Sequence, residues 1–205
     1  MKLSCTIAAI GILVAGCSGY APPAASDAGS SETARIIQEV RRVVPDVTAP
    51  GSESETLAVL SAHFSDWNSE TGPSLSGEDL YLFPDHAYLY LKWADIMPPT
   101  IFDKGTWQFE TGVVSLQSDH SVRQQDFPKD RRFVPLYHKV SGKRTLLLMG
   151  TSRDFTYFKE KATTNDDFML YLCTFTHIET IEARGAETLR KRLYADSWKP
   201  EFFTK

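Results

Sequence analysis

The chain has 205 residues, 42% hydrophobic and 12% aromatic, which suits one domain with a core of its own. Its 22 basic and 26 acidic side chains give a formal charge of −4, with no basic stripe to meet phosphates, and this argues against nucleic acid as a partner. Three scattered cysteines, Cys5, Cys17 and Cys173, cannot build a disulfide framework.

Lys2 supplies a positive start, and an apolar run of about 11 residues around Ile7–Val14 follows. A membrane-spanning helix needs roughly 20 such residues, so the segment reads as a secretory signal. The run ends in Val14-Ala15-Gly16-Cys17, which resembles the lipobox of bacterial lipoproteins. That resemblance implies cleavage before Cys17, diacylation of its thiol and acylation, palmitate included, of the new amino terminus. Ser18 rather than Asp after the cysteine implies outer-membrane sorting in a Gram-negative cell, with the body facing the periplasm. Several acyl chains anchor stably where one holds only marginally. Without residues 1–16 the chain keeps 21 basic and 26 acidic side chains, a formal charge of −5.

Residues 18–31 are small, polar and proline-bearing, and read as a flexible tether. The expected organisation is therefore a signal peptide (1–16), a lipidated tether (17–31) and a single globular domain (32–205). Ile36, Ile37, Val40, Val43 and Val44 share one helical face, and Pro45 stops that helix. Ser52 and Glu55 have capping-box spacing ahead of Leu57, Leu60, Phe64 and Trp67, which predicts a second amphipathic helix.

From Glu78 the pattern turns to period two. Ala87, Leu89, Leu91 and Trp93 alternate with Tyr88, Tyr90 and Lys92, a long strand with aromatics on both faces. Asp103-Lys104-Gly105 reads as a turn, Trp107 and Phe109 as one face of a strand, and Thr111-Gly112 as a turn into Val113–Gln117. Residues 118–132 read as a polar loop. Phe133–Val140 and Lys143–Met149 form a hairpin about Ser141-Gly142, with Pro135 marking an edge or a strand start. Phe155–Lys161 predicts a short helix, while residues 168–178 fit helix and strand equally. Ala186, Leu189 and Leu193 mark a last helix whose Arg190-Lys191-Arg192 suits the negative end of its dipole. Trp198 and the following Lys199–Phe203 are expected to dock the terminus back on the body. Gly105-Thr106-Trp107 and Phe133-Val134-Pro135 resemble motifs of bacterial lipoproteins built on a small antiparallel sheet or partial barrel. Lipocalins carry Gly-x-Trp too, but in their first strand, whereas here a long strand and two helices precede it.

No nucleophile elbow, phosphate-cradling glycine loop or dinucleotide fingerprint occurs. His63, His86, His120, His138 and His177 are scattered, so neither a metal nor another cofactor is expected. Cys173 and His177, four apart, share a face in helix or strand and could pair as thiolate and base; a buried inert thiol is the plainer reading. His63 and Asp66, i and i+3 on the second helix, read as a local surface pair, and the Asp85-His86 and Asp119-His120 steps as turn residues. The candidate binding element is the 118–132 loop with Arg123, Lys129, Arg131 and Arg132.

The expected fold is α+β: two N-terminal helices, an antiparallel meander or partial barrel of five or six strands, lipocalin-like in a loose sense, and C-terminal helices closing one face. The expected function is a non-catalytic, periplasm-facing binding lipoprotein, held to the membrane through acylated Cys17 and meeting a protein partner. Two alternatives stand beside it: an immunity or inhibitor lipoprotein that blocks a toxin or lytic enzyme, and a carrier of a small apolar ligand.

Overall fold

The computed structural model describes residues 27–66, 76–119, 131–140, 142–152, 155–161, 163–164 and 173–198. Eight strands follow one another: β1 (Ala62–Ser65), β2 (Ser76–Leu82), β3 (Ala87–Ala94), β4 (Met97–Glu110), β5 (Val113–Ser118), β6 (Arg132–Val140), β7 (Lys143–Gly150) and β8 (Cys173–Thr180). Each is antiparallel to its neighbours in chain order. β8 then pairs with β1 (Ala62↔Thr180, Phe64↔His177), so the meander closes on itself. The helices are α1 (Asp27–Arg41), α2 (Glu53–Leu60), α3 (Phe155–Lys161) and α4 (Ala183–Asp196). Among the described residues no helix is long and apolar enough to cross a membrane.

Period-two alternation divides the apolar side chains between the inside of the ring and two outer layers. Phe64, Leu80, Leu82, Tyr88, Tyr90, Trp107, Val114, Leu116, Phe133, Leu148 and Phe175 fill the interior. The other faces of β5, β6 and β7 present Val113, Val134, Leu136, Leu147 and Met149 to Ile36 and Val40 of α1 and to Val44 just beyond it. On the opposite wall Tyr81, Phe83, Leu89 and Leu91 meet Ala186, Leu189 and Leu193 of α4. Aromatic and apolar residues on both faces of β3 are thus explained: one face lines the interior and the other lies under a helix.

Several sequence expectations change here. The ring has eight strands rather than five or six, and it is closed. The second helix starts as expected: the Ser52 hydroxyl accepts from Glu55 N–H and the Glu55 carboxylate from Ser52 N–H. It ends at Leu60, however, and Phe64 lies in β1 with its ring inside the barrel; pairing to β2 and β8 on both sides outweighs the helical spacing. Trp67 lies outside the described residues. Asp103-Lys104-Gly105 is not a turn but the middle of β4. A Cβ on Gly105 would sit 2.0 Å from the Gln117 carbonyl oxygen, so close approach of β5 requires glycine there. Helix α1 begins at Asp27, within the stretch read as tether. Residues 173–178 are strand. Arg190-Lys191-Arg192 stop short of the last turn of α4, which carries no basic residue, so the dipole account fails there.

Ser141 lies outside the described residues, but the pairing of Val140 with Lys143 is as the hairpin expectation has it. The Thr111-Gly112 turn is as expected, where φ of 50° and 83° twists the hairpin in the sense the strands need. Pro135 marks the thinnest seam. β5 and β6 share only the pairs Val114↔Phe133 and Ser115↔Arg132. Proline cannot donate beyond them, and Thr48 covers the bared edge through two hydrogen bonds with Tyr137 of 3.0 and 2.8 Å.

Candidate functional site

The two ends of the barrel are built differently. At one end the strands are joined by residues 83–86, 111–112 and 141–142, all tight connections. At the other, the segments 66–75, 119–131 and 151–172 leave and re-enter the strands, beside the tight β3–β4 hairpin. Long connections on a rigid scaffold are where binding groups collect.

Inside the ring, below the long-connection end, Asp103 is fully buried in β4. Tyr88 donates to one carboxylate oxygen at 2.5 Å and Ser118 to the other at 2.6 Å. Burial first, and the adjacent carboxylate second, hold the Tyr88 phenol well above its ordinary pKa, so it stays a donor. With both carboxylate oxygens occupied and solvent excluded, this network fixes the register of β3, β4 and β5 rather than offering a reactive group. Deeper still, the Trp107 indole donates to the Phe83 carbonyl at 2.9 Å.

Nearer the rim the groups are charged. Lys92 lies 3.4 Å from Glu78 and stands over the rings of Tyr90 and Phe102 at 5.9 and 5.5 Å. Lys104 pairs with Asp119 at 3.6 Å. Asp66, at the end of β1, accepts the Glu78 N–H at 2.6 Å. Partial desolvation of its carboxyl, reinforced by the negative charges of Glu78 and Asp79, pushes its pKa up to about 6. Arg131 is exposed where the chain re-enters toward β6, its charge reaching Tyr88, and Arg132 opens β6 opposite Ser115. The rim therefore gathers charges of both signs, some of them crowded.

The tight-turn end does the opposite with its carboxylate. Asp85 accepts two hydrogen bonds of 2.7 Å from Arg190 of α4, and one from Ala87 N–H. Burial alone would raise its pKa, but these bonds outweigh burial and hold it below the usual carboxylate range. Arg190 is thus a clamp between helix and turn, and its guanidinium also lies 4.5 Å over the Phe83 ring.

Among the residues singled out from sequence, Cys17, Arg123 and Lys129 lie outside the described residues, as does His120. Arg131 and Arg132 both lie at the long-connection end. His63 does not pair with Asp66 along a helix; its Nε2 lies 3.0 Å from Asp79 on β2, with the ring stacked on Tyr81 at 4.2 Å. That pair was hidden because it crosses two strands, one of which read as helix. His86 turns its ring toward Trp107 while Asp85 turns to Arg190, so the two form no dyad. Cys173 opens β8 opposite Met149, and His177 packs edge-on to Phe64. Burial lowers the His177 pKa. No group of three His, Cys, Asp or Glu among the described residues converges as a metal site. A small cavity of about 170 Å³ lies outside the barrel, lined by Thr33, Ile37, Pro50, Phe109 and Pro135.

No family model matches the chain, and no curated protein or solved structure matches it.

Proposed function

We propose that this chain is a lipid-anchored, non-catalytic interaction protein, tethered through acylated Cys17 on the periplasmic face of an outer membrane. It would meet a protein partner with the long-connection end of its barrel. The observation that carries the reading is the filled interior. An eight-stranded barrel is just wide enough for side chains to fill or for one small ligand to occupy. Here Phe64, Tyr88, Tyr90, Trp107 and Phe133 take that space, with the Tyr88 hydroxyl bonded to Asp103 and the Trp107 indole to the Phe83 carbonyl. What remains for recognition is the rim, whose mixed charges of Asp66, Glu78, Lys92, Asp119 and Arg131 suit a polar protein surface. This favours an interaction protein over a carrier of an apolar ligand.

Two measurements test the proposal. An alkyne analogue of palmitate should label the wild-type chain in cells and leave Cys17→Ser unlabelled; label on the mutant would refute the anchor. Titration of the purified domain with a medium-chain fatty acid should leave tryptophan emission unchanged. A saturable change, lost in a Tyr90→Trp variant that fills the bore further, would instead establish a carrier.

A further inference from the structure

At the tight-turn end β6 and β7 run on past their neighbours. β5 pairs with β6 no further than Phe133, and β8 pairs with β7 no nearer the turn than Leu147. From Tyr137↔Leu146 to Val140↔Lys143 the hairpin therefore projects, bordered among the described residues only by Thr48 at Tyr137. Its tip carries one sign of charge. Lys139 and Arg144 pair across the hairpin and share a face, while Lys143 belongs to the other. All three are exposed, and Arg144 is braced with its guanidinium 4.0 Å over the Tyr137 ring. Asp46 and Glu179, carboxylates nearby, turn to histidines instead: Asp46 to His138 at 3.4 Å and Glu179 to His63 at 3.9 Å.

The chain enters the domain at this same end. Thr33 donates to the Thr111 carbonyl at 3.3 Å, in the neighbouring tight turn, and α1 starts only six residues before it, at Asp27. The ten residues from Cys17 to Asp27 can span at most about 35 Å. An anchor at Cys17 thus keeps the tight-turn end close to the bilayer. Exposed charges act over about 8–10 Å at ordinary salt, so a projecting hairpin reaches a surface that the rest of the wall does not. The large exposed apolar side chains among the described residues are Ile96, Tyr157, Ile178 and Trp198, none of them on this hairpin. A protein interface needs such anchors at its centre, whereas a headgroup surface needs only charge.

We propose that the β6–β7 hairpin is a second, electrostatic membrane contact, in which Lys139, Lys143 and Arg144 meet the anionic phospholipid headgroups of the bilayer that holds acylated Cys17. The inference rests on the lipid anchor proposed above and deepens it: the tight-turn end faces the membrane and the rim faces away. Each basic side chain at an anionic surface strengthens the contact about fivefold, so three of them orient a domain that the acyl chains alone leave free to turn.

The test is paramagnetic relaxation of the acylated chain in nanodiscs doped with a gadolinium-chelating lipid, made of phosphatidylcholine alone or with one-third phosphatidylglycerol. With phosphatidylglycerol, the Thr145 γ-methyl beside the tip should relax several-fold faster than the Ile96 δ-methyl, which lies at the opposite end of the barrel. The difference should vanish in phosphatidylcholine, in high salt, and in the triple variant Lys139→Gln, Lys143→Gln, Arg144→Gln, whose methyl dispersion should otherwise be unchanged. Equal relaxation of the two methyls with phosphatidylglycerol would overturn the proposal, and is the result expected if the hairpin instead binds an acidic protein. So would faster Thr145 relaxation that survives in phosphatidylcholine or in the triple variant, because the tether alone would then set the orientation. Retention on phosphatidylcholine discs reads the anchor separately: a chain held by neither disc refutes both readings, and one held only with phosphatidylglycerol keeps the hairpin contact without the anchor.

Discussion

Asp85 and Asp66 sit at opposite ends of one barrel and are treated in opposite ways. At the tight-turn end Asp85 is held by Arg190 and the Ala87 N–H, and its charged form is favoured. At the long-connection end Asp66 is partly desolvated beside Glu78 and Asp79, and its charged form is disfavoured. A side chain kept in an unfavourable electrostatic setting does not serve folding, whereas a clamped one does. The turn end, together with α2 and α4, secures the fold; the rim carries groups whose arrangement stability does not explain.

The largest effect should come from the shared interior. Trp107 is 1% exposed, and Trp107→Ala removes its packing and its bond to Phe83, so a loss of about 3–5 kcal/mol is expected in denaturant melts. Out of roughly 5–15 kcal/mol for a domain, that is severe. A variant as stable as wild type would mean that the interior is not closed around Trp107. Next comes Asp103→Ala, which leaves the Tyr88 and Ser118 hydroxyls without their acceptor and should cost about 1–3 kcal/mol. Asp103→Asn, which keeps one carbonyl acceptor, should cost less; the reverse order would refute the network.

The two carboxylates give a smaller and sharper contrast, because their pH dependences have opposite signs. Asp85 has a lowered folded pKa, so its contribution is present above the unfolded value of about 3.9 and fades as pH falls through the folded pKa. Wild type and Asp85→Asn should therefore differ at neutral pH and converge in acid. The Asp85 side chain is 58% exposed, so the difference should stay below about 1 kcal/mol. Asp66 has a raised pKa, so its protonated form contributes stability that is full below about 3.9 and lost as pH rises through about 6. Asp66→Asn keeps the acceptor for Glu78 N–H without the charge and should be the more stable protein above pH 6, by less than about 1 kcal/mol for so exposed a residue. Thermal melts from acid to neutral pH read both, and shifts of the same sign would remove the contrast between the ends.

How much of this was legible in the sequence follows the same division. Thr111-Gly112 and the hairpin around Gly142 were readable because two-residue turns need backbone conformations that few residues adopt. The alternation of β3 and the apolar face of α4 were readable because burial on one side imposes a period. β1 was not: its four residues are too short to show a period, and Phe64 extends the helical spacing of Leu57 and Leu60. Asp103-Lys104-Gly105 misled for a related reason. Its turn-like composition arises from a buried hydrogen-bond network and a close backbone approach, and both depend on β5, a strand that comes later in the chain. Arg131 was singled out by loop length and charge, but its companions Asp66, Glu78 and Lys92 come together only when the ring closes.

Site-specific photo-crosslinking in the native cell tests the division most directly. A benzophenone side chain would be placed at Asp119 or Arg131 on the rim, and at Glu110 or Lys143 at the turn end; all four positions are exposed. Surface substitutions of this kind shift stability by no more than about 0.5 kcal/mol, so the four proteins should fold alike. The expected result is a discrete adduct with one partner protein from Asp119 and Arg131, none from Glu110 and Lys143, and loss of the Asp119 adduct when Arg131→Glu is added. Adducts from the turn end alone, or equally from both ends, would contradict the assignment of recognition to the rim.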